Sequence, residues 1–219
     1  MLDVVHAFAH EVSLHLREHE LPVHAEILEH ASQWALPPET SGNARGTQRG
    51  ATAAAAHLDA ALQASRGGRG ARLAALLDPL ARAGTWTQTS RYVLNPPHPK
   101  FLDNYAHTTL LGASGSHPWA VDETDTVTLG LLLLGPGTLY PHHHHPADEV
   151  YVPVTDGWWS HANAQPLQWE PSAVPIHHRS WQPHAAHAGQ AHPLLAIYLW
   201  TGQRATSAHF ITGECAPCG

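Results

Sequence analysis

The chain has 219 residues, enough for one large domain or a domain with an appendage, and ample for a buried core. Its formal net charge of −7, with Lys and Arg numbering only 11, argues against nucleic acid and anionic membrane as partners. The best apolar run, Leu129 to Leu134, is far too short to span a bilayer. The opening Met1-Leu-Asp-Val-Val-His6 lacks the basic region of a signal peptide, and the two cysteines, Cys215 and Cys218, form no disulfide framework, so a cytoplasmic location is expected. Histidine is abnormally common, at 21, so much of the charge changes between about pH 5 and 7.

From Leu2 to about Glu20, Val5, Phe8, Val12 and Leu16 repeat at helical spacing and predict an amphipathic helix. Pro22 closes it or starts the next, which runs to about Leu36 through Ile27, Leu28, Ala31 and Trp34. His6, His10, His15, His19, His24 and His30 read as a solvated polar face. Pro37 to Gly50 is a polar connector, with no phosphate-loop lysine to make it functional. Ala51 to about Ser65 predicts a small-residue helix, broken by Arg66-Gly-Gly-Arg-Gly70. Ala71 to Ala83 predicts another, which Pro79 kinks or brings to its last turn. Residues 1–85 are therefore expected to be a helical region that caps or braces the rest of the chain, or mediates the contacts of a homodimer.

The character changes at Thr85. Arg91 to Lys100, with Pro96, Pro97 and Pro99, reads as a loop, and Tyr105 to Leu111 as a strand. Val127 to Leu134 is a near-continuous apolar run, as in a strand buried on both faces. Gly135-Pro-Gly137 is a turn, and Glu149 to Val154 is the next strand. Asp156-Gly157 is a hairpin signal. Further strands are expected within Trp158 to Trp169, and at Ala173 to His178, Gln182 to Ala188, Leu194 to Thr201 and Ser207 to Thr212. Short strands at regular intervals predict a mainly β sandwich or barrel over residues 86–212, with residues 213–219 a tail. Cys215-Ala-Pro-Cys218 has redox spacing, but its terminal position makes a frayed tail or an adventitious zinc site the better reading.

The chemistry concentrates in Gly137-Thr-Leu-Tyr-Pro-His-His-His-His-Pro-Ala-Asp-Glu-Val-Tyr151. Imidazoles and a carboxylate are ligands for a divalent transition metal. His143 and His145 are two apart and share one face of an extended strand. Glu149 and Tyr151 share another, with Val150, Val152 and Val154 turned the opposite way. A run of four, internal and between strand-like segments, does not read as a purification tag. A fourth ligand is expected from Trp181-Gln-Pro-His-Ala-Ala-His187, where His184 is the natural candidate and His177, His178 and His187 its rivals.

Gly137, His143-x-His145, Glu149 and Gly157 resemble the first cupin motif, and Pro175 through Pro183 to His187, with His184 inside, resembles the second. The gap from Glu149 to Gly157 is one residue longer than usual. Pro171-Ser-Ala173 replaces the glycine that normally precedes the second motif. Within the cupins the chain is similar to the dimethylsulfoniopropionate (DMSP) lyases, over about residues 105 to 202. The resemblance rests on Gly130 to Tyr151, Trp181-Gln-Pro-His-Ala185 and Leu194-Leu-Ala-Ile-Tyr-Leu-Trp200. Pro153 departs from the pattern and suggests an edge or a bulge.

The resemblance implies a cupin (double-stranded β-helix, jelly-roll) barrel with an N-terminal α-helical region, holding one divalent metal ion: zinc, iron, manganese or nickel. It implies a carbon–sulfur lyase that makes dimethyl sulfide and acrylate from a sulfonium carboxylate by β-elimination. Carried over residue by residue, His143, His145, Glu149 and His184 hold the metal and Tyr151 is the base. Tyr140 is the second candidate, for base, proton relay or carboxylate positioning. A sulfonium can sit against aromatic faces, which makes Tyr140, Tyr198, Trp200 and Trp181 substrate-binding candidates. The same scaffold also hosts dioxygenases, sugar isomerases and noncatalytic ligand-binding proteins.

Overall fold

The computed structural model describes residues 2–33, 52–112, 127–163, 165–203 and 206–211. The stretch after Gln33, the connector and the cysteine tail lie outside them. Helix α1 (Leu2–Glu18) buries Val5, Phe8, Val12 and Leu16, the stripe its spacing predicts. Glu20 then takes a left-handed conformation, φ 63°, and Leu21 donates its N–H to the Leu16 carbonyl. Pro22, whose φ suits a first helical turn, opens α2 (Pro22–Gln33), which packs back on α1. A 3-10 turn at Ala53–His57 leads into α3 (Leu58–Ser65). Helix α4 (Ala71–Ala83) carries Pro79 within it and ends a turn later. The expected loop from Arg91 is corrected at its start: Ser90–Leu94 forms α5, and α6 (Phe101–Asn104) comes after the prolines.

The strands are β1 (Tyr105–Leu111), β2 (Val127–Leu134), β3 (Leu139–His144), β4 (Ala147–Pro153), β5 (Gly157–Ser160), β6 (Gln168–Glu170), β7 (Ile176–His178), β8 (His184–His187), β9 (Leu194–Gly202) and β10 (His209–Phe210). They form two antiparallel sheets of five, in the orders β1-β2-β9-β4-β7 and β10-β3-β8-β5-β6. This is the two-sheet cupin arrangement expected, with helices at the N-terminal side. Among the described residues no ladder joins the sheets into a closed barrel. Asp156-Gly157 is not a hairpin: β4 belongs to the first sheet and β5 to the second, so the turn carries the chain from one layer to the other. Pro153 sits beyond the reach of edge strand β7, which pairs only with Glu149 to Tyr151.

Two apolar layers result. The outer one packs Phe8, Leu28, Leu62 and Leu77 from the helices against Leu129, Leu131, Val150, Val152, Ile197 and Leu199 of the first sheet. The inner one is largely aromatic and holds Tyr92, Phe101, Tyr105, Tyr140, Tyr151, Trp159 and Tyr198. Strands of the first sheet therefore bury both faces, as the unbroken apolar run of β2 predicts. Gly130 in that run is a packing requirement. It pairs with Tyr198, and a Cβ there would meet the Tyr198 ring and the Thr108 carbonyl. Gly130→Ala is expected to displace the Tyr198 ring and cost about 1–3 kcal/mol of stability, read as a lower urea midpoint at an unchanged m-value.

Candidate metal centre

The histidine run is β3 and the corner after it. Tyr140 and His143 both face inward although three positions apart, which strict alternation forbids. The β3–β8 register slips between them, and that irregularity re-aims the strand. His142 and His144 turn elsewhere: His142 lies 2.9 Å from the Ser160 hydroxyl, and His144 packs edge-on against Trp181. His145 lies in the corner just past the strand. Glu149 comes from β4 and His184 from β8, which pairs with β3 so that His184 stands opposite His143. His143, His145, Glu149 and His184 are all at most 2% exposed.

Each of the three imidazoles is oriented by a main-chain carbonyl. His143 Nδ1 lies 2.8 Å from the Pro141 oxygen, His145 Nδ1 3.1 Å from Ala147, and His184 Nδ1 2.8 Å from Gln182. A carbonyl can only accept, so each Nδ1 carries a proton and Nε2 is the atom each ring turns toward a ligand site. The ligand nitrogens of His143, His145 and His184 lie within 4.8 Å of one another. Glu149 Oε2 sits 2.9 Å from His145 Nε2 and 3.1 Å from His184 Nε2. His184 Nε2 is buried without a hydrogen-bond partner. With all three rings neutral, acceptors would face acceptors in a buried site, so a shared proton, as in the His145–Glu149 hydrogen bond, or a cation must sit between them. Burial, and then the neighbouring imidazoles, hold the His143 pKa well below its ordinary value, which keeps that ring neutral. The donor set fits a divalent transition metal.

The surroundings tune the cluster. The Trp200 indole N–H donates to Glu149 Oε1, and its ring lies 4.4 Å from that of His145. Tyr140 stacks on His143 at 3.9 Å and shares a 2.8 Å hydrogen bond with Tyr92. His178, a rival of His184 in sequence terms, is fully buried and stacks on it at 4.2 Å. Burial pushes its pKa down to about 2. His178 also lies within ligand distance of Glu149 and His184. His161 links it outward, with Nδ1 3.3 Å from His178 Nε2 and Nε2 3.1 Å from Glu170. His187 is half-buried on β8, and His177 points out of the sheet toward Asp148.

A cavity of about 360 Å³ reaches the cluster at Glu149. Tyr140, Glu149, Tyr151, Tyr198 and Trp200 line it, together with Tyr105 and His107. Tyr151 shares the inner face of β4 with Glu149, and Tyr198 reaches over Gly130 to Thr109 at 3.3 Å. Burial, then the charge of Glu149, holds the Tyr151 pKa well above its ordinary value. Tyr198 is pushed up to about 12 by burial. Trp181 lies apart from the cavity: it is 50% exposed, and its backbone N–H donates to the His145 carbonyl. Sequence reasoning missed Tyr105, which lines the cavity, and Tyr92, which backs Tyr140 from behind. The closely spaced aromatics Tyr92, Phe101 and Tyr105 around the prolines were the available signal.

Comparison with known proteins adds an independent line. The profile of a family described as dimethylsulfoniopropionate lyase matches residues 31–196. A curated relative, dimethylsulfoniopropionate lyase DddQ of Ruegeria pomeroyi, is 28% identical over 107 residues, 49% of this chain. The match spans half the length of that relative. The crystal structure of DMSP lyase DddQ from Ruegeria pomeroyi DSS-3 superposes with a TM-score of 0.55 at 23% identity, over 66% of this chain and 70% of that one. A structure from a report on the DMSP lyases RdDddP and RnDddQII gives 0.59 at 20% identity, over 93% of this chain and all of that one. Among the described residues, no helix is long and apolar enough to cross a membrane.

Proposed function

Since the chain belongs to the dimethylsulfoniopropionate lyase family, we propose that it is a carbon–sulfur lyase that splits DMSP into dimethyl sulfide and acrylate by β-elimination. The observation that carries the reading is the convergence of three buried imidazoles and one carboxylate beside a tyrosine-walled cavity. His143, His145, Glu149 and His184 would hold a divalent ion. When bound, that ion supplies the positive charge that receives the substrate carboxylate, steadies the charge growing at the α carbon, and draws the Tyr151 pKa back down.

Tyr151 is the general base. Its phenolate oxygen takes the α proton, and the electron pair left on Cα closes the Cα–Cβ double bond only as sulfur departs. In that same event the Cβ–S bond breaks, and its electrons leave with sulfur as neutral dimethyl sulfide. The proton on Tyr151 returns to solvent between turnovers. Tyr140, tied to Tyr92, positions the carboxylate end. Tyr198 and Trp200 offer π faces to the sulfonium, a soft cation with no hydrogen-bond donor of its own. The aromatic side of the cavity lowers the polarity around the reacting atoms, which strengthens the electrostatics there.

Headspace gas chromatography tests the proposal, using protein loaded in turn with zinc, iron, manganese or nickel and mixed with DMSP. Dimethyl sulfide and acrylate in equal amounts from at least one form is the expected result; gas from none of the four would move the chain to another substrate. Trp200→Phe keeps the ring against His145 and deletes the N–H to Glu149. It is expected to weaken metal affinity by about 10–100-fold, read by competition with a chromophoric chelator.

A further inference from the structure

A second convergence of imidazoles and a carboxylate lies on the opposite face of the same strands. In the β4–β7 ladder Glu149 pairs with His178 and Val150 with His177. Alternation sends Glu149 and His178 into the cavity layer, and Asp148 and His177 outward, diagonal to one another. Helix α2 supplies the third group. His24 Nε2 is 2.6 Å from Asp148 Oδ1, and His177 Nε2 is 2.8 Å from the same oxygen. The two rings are 4.8 Å apart at 68°, and the three ligand atoms lie within 4.8 Å of one another. His24 was expected on a solvated face and is instead 9% exposed, facing the sheet.

We propose that His24, Asp148 and His177 form a second divalent-metal site, of the zinc class, that clips helix α2 to the β4–β7 edge of the sheet. Two imidazoles and one carboxylate make a borderline donor set suited to zinc, with room for water as the remaining ligand. The groups suit loading from solution, since the side chains of His177 and Asp148 are 31% and 32% exposed and that of His24 is 11%. The ligands are far apart in sequence, so an ion here closes long loops and its binding energy goes directly into holding the helices on the sheet. The site does not depend on the lyase reading. Its metal-free alternative is a bridge in which both Nε2–H groups donate to Asp148, and such a bridge is indifferent to zinc.

Equilibrium dialysis of the full chain against zinc distinguishes the two. The comparison is between wild type and the double variant His24→Gln, His177→Gln, with His177→Gln alone as the milder change should the pair fold poorly. The expected result is the loss of one zinc equivalent per chain relative to wild type. The variant also loses part of the zinc-induced rise in Tm and keeps the remainder, which belongs to the inner cluster. A variant that retains the wild-type zinc stoichiometry and the full zinc-induced Tm rise would overturn the proposal, whatever the outcome of the DMSP assay.

Discussion

Tyr151→Phe is expected to lower dimethyl sulfide release by about 10²–10⁴-fold, the range a positioned general base contributes, while metal content and fold stay as in wild type. The substitution deletes one oxygen from a ring that is buried beside Trp159 at 4.8 Å, and leaves the packing surface of that ring in place. The phenol is a poor base in the bare protein, because burial and Glu149 both hold its pKa up. Activity should therefore require both the hydroxyl and the ion, and added metal should not rescue the variant. Loss in kcat with little change in KM would separate a base from a group that only binds substrate, since a transition-state interaction is missing rather than a uniform one. Tyr140→Phe serves as the internal comparison. It breaks the hydrogen bond with Tyr92, and the two variants differ in which kinetic constant they move if Tyr140 positions the carboxylate.

Glu149→Gln is expected to abolish metal binding at the inner cluster and with it activity, a loss on the order of a thousandfold or more given the several kcal/mol a metal supplies. The same change makes a second, opposite prediction about stability. In metal-free protein the carboxylate can only accept, and it faces the Nε2 atoms of His145 and His184 at 2.9 and 3.1 Å. The glutamine amide donates two hydrogen bonds and can satisfy one of those nitrogens. At alkaline pH, where neutral imidazoles leave these acceptors unpaired, metal-free Glu149→Gln should therefore be more stable than metal-free wild type by about 1–3 kcal/mol, the cost of a buried unsatisfied group. With metal added, wild type should gain stability and the variant should lose the part owed to this cluster. Urea unfolding with chelator and with zinc measures both halves.

The elements legible in the sequence are those whose signal is local. The period of two separates His143 and His145 from their neighbours, and sets Glu149 and Tyr151 against Val150 and Val152, and the structure keeps both divisions. The apolar run of β2 and the helical stripe of α1 are equally local. Partnership across the chain was not legible. Asp156-Gly157 has hairpin chemistry, yet turn residues specify a reversal and not the sheet that the next strand joins. Prolines at 96, 97 and 99 hid the single helical turn of α5, and with it Tyr92, whose hydroxyl meets Tyr140 from 48 positions away. His24 belongs to a helix face that looks solvated until Asp148, 124 positions on, folds beneath it. His15 is a smaller case, bonded at 2.9 Å to the Ala173 carbonyl. Of His177, His178, His184 and His187 only His184 stands opposite His143 in the β3–β8 ladder, a register that no local signal gives.

The sharpest test of the inner cluster is the position of the ion itself, from anomalous diffraction at the absorption edge of the loaded metal. A peak is expected within coordination distance of the Nε2 atoms of His143, His145 and His184 and of Glu149, with the Tyr151 oxygen adjoining it. Crystals soaked in metal that show no peak between those four side chains, with the imidazoles instead hydrogen-bonded to Glu149, would contradict a metal centre there.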